Sequence, residues 1–284
     1  MNSSLPRLAD LPAAALSGKR VLLRLDLNVP IAGGEVTDDF RIVSSLPTIE
    51  YLRAAQARVI VISHLGRRPT DTLLPVADFL KRSFPIRFCP AVADLESAVV
   101  DLPAGDVLFL ENIRRAAGEE ENDDGLARIL AAAADLYVND AFASSHRAHA
   151  SVVGVPGLLS EKGAGFLMEK EVRELSRLLD PERPFAVVLG GAKISGKIDA
   201  LLALARQADV LLMGGGIANH FLRALGLPIG CSLLEEERVP VARQVLDLCK
   251  REEKAIAVPS DFVVAKSPED TAGARTVGIS QIPS

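Results

Sequence analysis

Two short segments of the sequence place histidine beside arginine. The segment DAFASSHRAHA contains His146, Arg147 and His149, and the segment ISHLGRRP contains His64 and Arg67. The chain has only four histidines, so three of them fall in these two places. Arginine offers a planar fork of donors that suits phosphate and carboxylate, and histidine adds a donor without an obligatory charge. The two segments therefore predict binding of a small, multiply anionic molecule.

A metal site is the alternative interpretation of His146 and His149, which are three positions apart. Arg147 lies between them, and no neighbouring carboxylate pattern completes a ligand set. The three cysteines are far apart and show no C-x-x-C spacing, which predicts reduced thiols. We therefore expect no metal ion bound by the protein itself.

Short aliphatic runs alternate with helical patterns, which is typical of parallel sheets enclosed by helices. The predicted strands are 21–27, 58–63, 86–89, 106–111, 136–139, 185–190, 210–214 and 255–259. The predicted helices are 47–56, 75–83, 94–100, 124–134, 197–207, 217–225 and 237–252. Pro47 and Pro75 fit the first turns of their helices. A further helix of about five turns, ending at Pro181, separates the two series of strands.

The carboxyl ends of parallel strands meet at one edge of a sheet, where ligands bind. Polar or cationic side chains follow four strands of the first series, and one more lies in the long connection after the first strand. These residues are Asp26, Asn28, Arg41, His64, Arg67, Arg114 and Arg147. A single arginine in a loop is usually a solvated surface residue. Four loops that converge on one edge favour a binding site for an anion.

The first of two glycine loops lies in VVLGGAKISGKIDALL, which reads as strand, loop and helix. Gly190 and Gly191 allow a ligand to approach the backbone, while Lys193 and Lys197 add positive charge near a helix N-terminus. The spacing up to Lys197 fits G-x-x-x-x-G-K. However, Ile198 stands where a P-loop needs Ser or Thr, so we do not predict a Walker A site.

The second glycine loop lies in VLLMGGGIANHFLRALG. Gly214, Gly215 and Gly216 allow a flat ring or a ribose to contact the backbone, and they equally allow a tight turn from strand to helix. Both interpretations stay open at this stage. His220 falls inside the following helix, and we expect it to be structural.

The composition is globular, with 49% hydrophobic and 24% charged residues, and it suffices for two modest domains. The net charge of −5 argues against nucleic-acid binding driven by bulk charge. No run approaches the roughly 18 apolar residues of a membrane span, and the N-terminus has no sustained apolar segment. We expect a cytoplasmic protein without nucleic-acid or membrane partners.

Many segments, in order, resemble the phosphoglycerate kinase family. They are VLLRLDLNVP, TDDFRI, LPTIEYL, SHLGR, FLENIR, VNDAFASSHRAHAS, GAGFLMEKE, FAVVLGGAKISGK, MGGGIANHFL and VPSD. The resemblance runs from about residue 20 to the last residue. It implies an α/β fold with two Rossmann-like parallel-sheet domains joined by a long helix, the second domain being incomplete. The implied domains are 1–162 for phosphoglycerate, 163–180 as connector helix and 181–284 for nucleotide.

The resemblance also implies the reaction and its residues. The reaction is reversible phosphoryl transfer between 1,3-bisphosphoglycerate and ADP, giving 3-phosphoglycerate and ATP, with Mg²⁺ carried by the nucleotide. Arg41 and Lys197 are implied to hold the transferring phosphoryl group. The implied phosphoglycerate site is Asp26, Asn28, Arg41, His64, Arg67, Arg114 and Arg147. The implied nucleotide site is Gly190, Gly191, Ala192, Lys193, Lys197, Gly214 and Gly215. Family members are usually monomeric.

The sequence departs from the family pattern in two ways that bear on the nucleotide. The pattern continues past Ser284 with further strands and a G-G-G-D-[ST] segment, and Gly196 stands where the family usually has Asp. Both departures predict weaker binding of the Mg–nucleotide. Two hypotheses follow, an active phosphoglycerate kinase and a non-catalytic phosphoglycerate-binding or interaction protein derived from one.

Overall fold

Aliphatic strands form a parallel six-stranded sheet in the first of two units into which the chain divides, Met1–Leu178 and Leu179–Ser284. The computed structural model describes residues 6–68, 70–267 and 269–283. The strands of this sheet are β1 Arg20–Leu25, β4 Arg58–Ile62, β5 Ile86–Cys89, β6 Val107–Leu110, β7 Leu136–Asp140 and β8 Glu161–Ala164. Their spatial order is β5–β6–β4–β1–β7–β8. Two further strands, β2 Ile31–Ala32 and β3 Glu35–Val36, form a hairpin.

Helices cover both faces of this sheet. They are α1 Ala13–Leu16, α2 Phe40–Ala54, α3 Leu74–Leu80, α4 Leu95–Val100, α5 Asp124–Ala132, α6 Val155–Leu158 and α7 Phe166–Ser176. Alternate residues of β1 enter different cores, since Leu23 packs with α2 and α3 while Leu22 packs with α4 and α5. Burial on both faces explains why the central strands are largely aliphatic, although Arg24 of β1 is also buried.

The second unit is built on a smaller parallel sheet. Its strands are β9 Ala186–Leu189, β10 Val210–Met213 and β11 Ala255–Ala257, in the order β11–β10–β9. Its helices are α8 Ile198–Gln207, α9 Gly215–Ala224 and α10 Val239–Arg251. An antiparallel pair, β12 Asp261–Val264 and β13 Arg275–Gly278, completes the described elements. The expected α/β fold with two parallel sheets is confirmed, while the functional division at 163–180 stays a prediction.

All eight predicted strands are present, with ends that differ by at most two residues. Sequence reasoning missed five strands. β8 has the sequence EKGA and lies at a sheet edge, where no aliphatic run is required. The β2–β3 hairpin is too short for a periodic signal, although its turn carries one: Gly33 and Gly34 both have positive φ, as a two-residue turn between twisted strands requires.

The first helix prediction was wrong at its start. α2 begins at Phe40, so Pro47 lies inside the helix and not in its first turn. A proline there removes one backbone hydrogen bond. In the turn before it, the Ser44 and Ser45 hydroxyls donate to the carbonyls of Phe40 and Arg41, contacts that often accompany a bend in a helix. Pro75, by contrast, lies at the start of α3 as predicted.

The long helix is shorter than predicted. Its α-helical part, α7, has 11 residues, and the chain then tightens into a 3₁₀ turn at Arg177–Leu179. Pro181 follows, and the residue before a proline avoids the helical conformation. α7 packs on α2 and β7, so it belongs to the first unit.

The sheet of the second unit presents its two faces to different surroundings. Val187, Leu211 and Met213 are buried beneath the three helices. Val188, the neighbour of Val187 on β9, is 74% exposed, and Leu212 is also exposed. Apolar side chains therefore lie uncovered on one face of this sheet within the described residues.

Val187 and Val188 provide a matched test of this asymmetry. Val187→Ala should lower the free energy of unfolding of the second unit by about 1.5–3 kcal/mol, since two buried methyl groups are lost. Val188→Ala should change it by less than about 0.5 kcal/mol. Denaturant unfolding followed by hydrogen exchange of the second unit measures both. Equal losses would contradict the exposure of the Val188 face.

Candidate functional site

The predicted anion site lies at the carboxyl edge of the six-stranded sheet. β6, β4, β1 and β7 are adjacent and parallel, so the segments that follow them begin at the same edge. Arg114 lies in the 3₁₀ turn Ile113–Arg115 after β6, and His64 follows β4 by two residues. Asp26 directly follows β1, and Arg147 comes after the 3₁₀ turn Phe142–Ser144 that follows β7.

Direct contacts join three of these segments. The Asn28 side chain accepts a hydrogen bond from the Gly66 amide at 2.9 Å, and the Arg114 guanidinium donates to the Gly66 carbonyl. Gly66 has φ of +58°, and a Cβ at this position would overlap the Asp71 carboxylate. The loop between His64 and Arg67 therefore requires glycine at position 66, because the positive φ and the adjacent Asp71 carboxylate both disfavour a Cβ there.

Arg41 and Arg67 differ in their surroundings. The Arg41 guanidinium, at the start of α2, forms an ion pair with Asp26. Arg67 uses its backbone amide to bind Asp71 at 3.1 Å, and its exposed side chain has no carboxylate partner among the described residues. Arg147 is also without a carboxylate partner in the described part of the chain. Two cationic groups at this edge are thus left for an external anion.

A buried arginine that sequence reasoning missed organises the centre of the site. Arg24 is 1% exposed inside β1, and it donates to His64 Nδ1 and to Ser151 Oγ, each at 3.1 Å. Ser151 in turn donates to the buried carboxylate of Glu119 at 2.6 Å. A charged residue within the aliphatic run VLLRLDL was the available signal, because such a residue must find partners inside the protein.

Burial and surrounding positive charge fix the state of His64. Desolvation, assisted by Arg24 and Arg147, lowers the pKa of His64 to about 3. The ring is therefore neutral at pH 7. Since Arg24 donates to Nδ1, the ring proton lies on Nε2, which leaves a neutral donor for an anion.

Burial also shifts the pKa of two neighbouring side chains, His149 and Glu119. Desolvation is the main cause that lowers the pKa of His149 and raises the pKa of the Glu119 carboxyl. The Glu119 carboxylate also accepts the Ser151 amide at 2.9 Å. The interior behind the site therefore disfavours additional charge.

The first unit also has a cavity of about 640 Å³, whose lining combines apolar side chains such as Phe40 and Leu167 with charged ones. The charged residues are Asp26, Arg41, Asp140, Lys170, Glu171 and Glu174. The five other predicted residues of the anion site do not line it. Four of its lining residues are carboxylates, and a lining with this much negative charge does not match a multiply anionic ligand. The cationic residues form a surface along the sheet edge instead.

The glycine loops of the second unit follow the adjacent strands β9 and β10. The Ile217 amide donates to the Gly191 carbonyl at 3.0 Å, and the Gly214 amide donates to the Leu189 carbonyl at 2.7 Å. A Cβ on Gly216 would overlap the Ala192 carbonyl oxygen. These contacts show that tight packing between the two loops requires glycine. Binding of a ring or ribose at Gly214 and Gly215 stays a prediction.

The predicted phosphate loop is open to solvent. Gly190, Gly191, Ala192, Lys193 and Lys197 are exposed, while Ile194 between the lysines is buried in the core. Lys197 ends the 3₁₀ turn Ser195–Lys197 directly before α8. Its ammonium nitrogen would lie 3.2 Å from a Cβ on Gly191, so it is close to the first glycine loop.

No helix among the described residues is long and apolar enough to cross a membrane. The same residues contain no group of three or more His, Cys, Asp and Glu side chains that could hold a metal ion.

Cationic strand ends in one α/β unit and a lysine-bearing glycine loop in the other are features that suit a protein of the phosphate-binding class. The phosphoglycerate kinase family model matches residues 11–284. The chain is 44% identical to phosphoglycerate kinase of Moorella thermoacetica and 48% identical to that of Thermomicrobium roseum, covering 94% and 93% of this chain and 70% of each relative. The structure of phosphoglycerate kinase from Coxiella burnetii matches with a TM-score of 0.81 and 37% identity, over 99% of this chain and 72% of that one.

The chain therefore belongs to the phosphoglycerate kinase family. The relatives named here carry the name of an enzyme, and nothing in these matches favours the non-catalytic hypothesis. Phosphoglycerate kinase activity is the function that this membership supports.

The neutral state of His64 has a measurable effect on acid stability. A histidine in the unfolded chain binds a proton below about pH 6.5, whereas His64 in the folded protein does so only near pH 3. The unfolded state thus binds more protons in this window, so stability falls as the pH drops from about 6.5 towards 3. His64→Asn keeps an acceptor for Arg24 and should reduce the stability loss between pH 7 and pH 5 by about 2 kcal/mol.

Urea unfolding at pH 7 and pH 5 measures this difference. Proton NMR of the folded protein gives a direct check, because the His64 ring signals should not move across that pH range. A titration of these signals with a midpoint near pH 6.5 would contradict the buried, neutral ring.

Proposed function

We propose that this chain catalyses reversible phosphoryl transfer between 1,3-bisphosphoglycerate and Mg–ADP, giving 3-phosphoglycerate and ATP. The observation that carries the proposal is the cationic edge of the first sheet, where four adjacent strands end and Arg67 and Arg147 have no carboxylate partner among the described residues. Such an edge suits a small molecule with both carboxylate and phosphate groups. Family membership supports the same substrates.

In this proposal the first unit binds the phosphoglycerate. Arg147 binds its anionic groups as a bidentate donor, and Arg67 adds charge at the rim. Arg114 contributes the donors that its contacts with Gly66 and Glu120 leave free. His64 donates a hydrogen bond from Nε2 and remains neutral. Asn28 holds the loop at Gly66 in place. Asp26 orients the Arg41 guanidinium through their ion pair.

The second unit binds the nucleotide in this proposal. The backbone at Gly190, Gly191 and Ala192 lies close to the phosphates. The ammonium groups of Lys193 and Lys197 neutralise the negative charge of the phosphates. Gly214 and Gly215 lie beside the first glycine loop, in a position that suits the nucleoside. Mg²⁺ enters as part of the substrate, bound to the nucleotide phosphates.

The reaction needs positioning and charge neutralisation and no general base. In the direction that consumes ATP, an oxygen of the 3-phosphoglycerate carboxylate forms a bond to the γ-phosphorus. The bond from that phosphorus to the bridging oxygen breaks, and its electron pair remains on ADP. The carboxylate is already ionised at pH 7, so no proton has to be removed. Arg41 and Lys197 hold the transferring phosphoryl group.

The cytoplasmic location expected from the sequence and the monomeric state implied by the family resemblance stay predictions, as does the absence of a macromolecular partner. The proposed partners are the phosphoglycerates and the adenine nucleotides.

Arg147 provides the test of the acid site. Arg147→Ala should weaken binding of 3-phosphoglycerate by about 1.5–3 kcal/mol, because hydrogen bonds to charged groups are lost. Arg128, an exposed arginine on α5 of the same unit, is the matched control, and Arg128→Ala should leave the dissociation constant unchanged. Calorimetric titration measures both variants. Equal dissociation constants of 3-phosphoglycerate for the two variants would show that Arg147 is not part of the site.

Lys197 provides the test of catalysis. The unmodified chain, given 3-phosphoglycerate and Mg–ATP, should form ADP in an assay coupled to consumption of the acyl phosphate. Lys197→Ala should lower the turnover number by at least about 100-fold while the dissociation constant of 3-phosphoglycerate changes less than about two-fold, since its charge acts mainly in the transition state. Lys250→Ala, at an exposed position near the end of α10, is the control. No turnover by the unmodified chain would contradict the proposed reaction.

A further inference from the structure

A glutamate outside the predicted site binds the backbone of the lysine-bearing loop. Glu235 lies between α9 and α10, forty residues along the chain from that loop. Its Oε2 accepts hydrogen bonds from the amides of Ile194 and Ser195, at 2.8 and 3.1 Å. These amides lie between Lys193 and Lys197. The hydrogen bonds from Ser195 lower the pKa of the Glu235 carboxyl, so it is ionised.

Glu235 is itself held by a buried histidine. The Glu235 amide donates to His220 Nε2 at 3.1 Å, so that nitrogen is an acceptor and the ring proton lies on Nδ1. His220 Nδ1 then donates to the Gly216 carbonyl, also at 3.1 Å. His220 is fully buried in α9, and no part of the proposed reaction uses it.

The second glycine loop completes the connection. Gly216, whose carbonyl accepts from His220, lies directly against Ala192 of the first glycine loop. A second polar contact restrains the segment that carries Glu235, since the Asn219 side chain donates to the Leu233 carbonyl at 2.9 Å. This series of hydrogen bonds thus runs from the Gly216 carbonyl through His220 and Glu235 to the amides of Ile194 and Ser195.

We infer that Glu235, oriented by His220, is a positioning residue that fixes the Lys193–Lys197 loop for the nucleotide phosphates. This inference rests on the proposed function, which assigns the two lysines to the phosphates. Two donors of the loop are already occupied by a carboxylate, so they are not available to a phosphate. The lysine ammonium groups and the amides at Gly191 and Ala192 must then supply the contacts. Their geometry depends on an anchor at Ile194 and Ser195.

Three variants of the full chain test the anchor. Glu235→Ala removes the carboxylate, and Glu235→Gln keeps one acceptor at the same reach. Glu236→Ala is the matched control, because Glu236 is the next residue, carries the same charge and pairs with the exposed Arg223. Hydrogen exchange measures the amides of Ile194 and Ser195 directly and requires no nucleotide. Exchange should become at least about 10-fold faster in Glu235→Ala, less so in Glu235→Gln, and should change less than two-fold in Glu236→Ala.

Binding of Mg–ADP and of 3-phosphoglycerate separates positioning from general stability. Glu235→Ala should weaken Mg–ADP about 10-fold, Glu235→Gln should recover part of this loss, and 3-phosphoglycerate should bind all variants equally. Equal Mg–ADP affinity in Glu235→Ala and Glu236→Ala would overturn the inference. So would unchanged exchange at Ile194 and Ser195, or exchange that rises across the whole second unit in both Glu235 variants.

The two proposals fail in different ways. If the unmodified chain does not bind Mg–ADP, the proposed nucleotide site is wrong, whereas the exchange rates still decide whether Glu235 anchors the loop.

Discussion

The hydrogen bonds of the buried Arg24 guanidinium are the interactions on which the first unit depends. A charge inside a parallel sheet is costly unless its donors find acceptors. Arg24 finds them in His64, Ser151 and the carbonyl of Leu25, and the negative charge of Glu119 lies one hydrogen bond further away. One side chain of β1 thereby joins the segment after β4 to the segment after β7. Its positive charge also contributes to the depressed pKa of His64.

The strands and the edge of the sheet could be predicted from the sequence because they follow from local rules. Aliphatic runs report burial on both faces, and parallel pairing then brings their carboxyl ends together. The position of Pro47 inside α2 could not be predicted, because tertiary packing stabilises a helix despite one missing hydrogen bond. The edge strand β8 carries no hydrophobic pattern to detect.

The candidate sites were predictable to a different degree. Residues such as Arg67 and Arg147 are recognisable because arginine in a strand-end loop has an evident use. Arg24, Glu119 and Glu235 were missed because their partners are distant in sequence: Arg24 and Ser151 are 127 positions apart, and Glu235 and Ile194 are 41 apart. No local pattern encodes such pairs. Only the folded chain shows which buried charge meets which donor.

The contact between the two glycine loops restricts how the second unit can change. Gly216 lies against Ala192, and the Ile217 amide bonds the Gly191 carbonyl, so backbone meets backbone with no side chain between them. No side chain lies at this contact whose shortening could accommodate a shift of either backbone segment. An insertion in one loop must therefore be accompanied by a compensating change in the other. A loop of different length or backbone path introduced on one side only should weaken this contact, whereas exchange of both loops together keeps it intact.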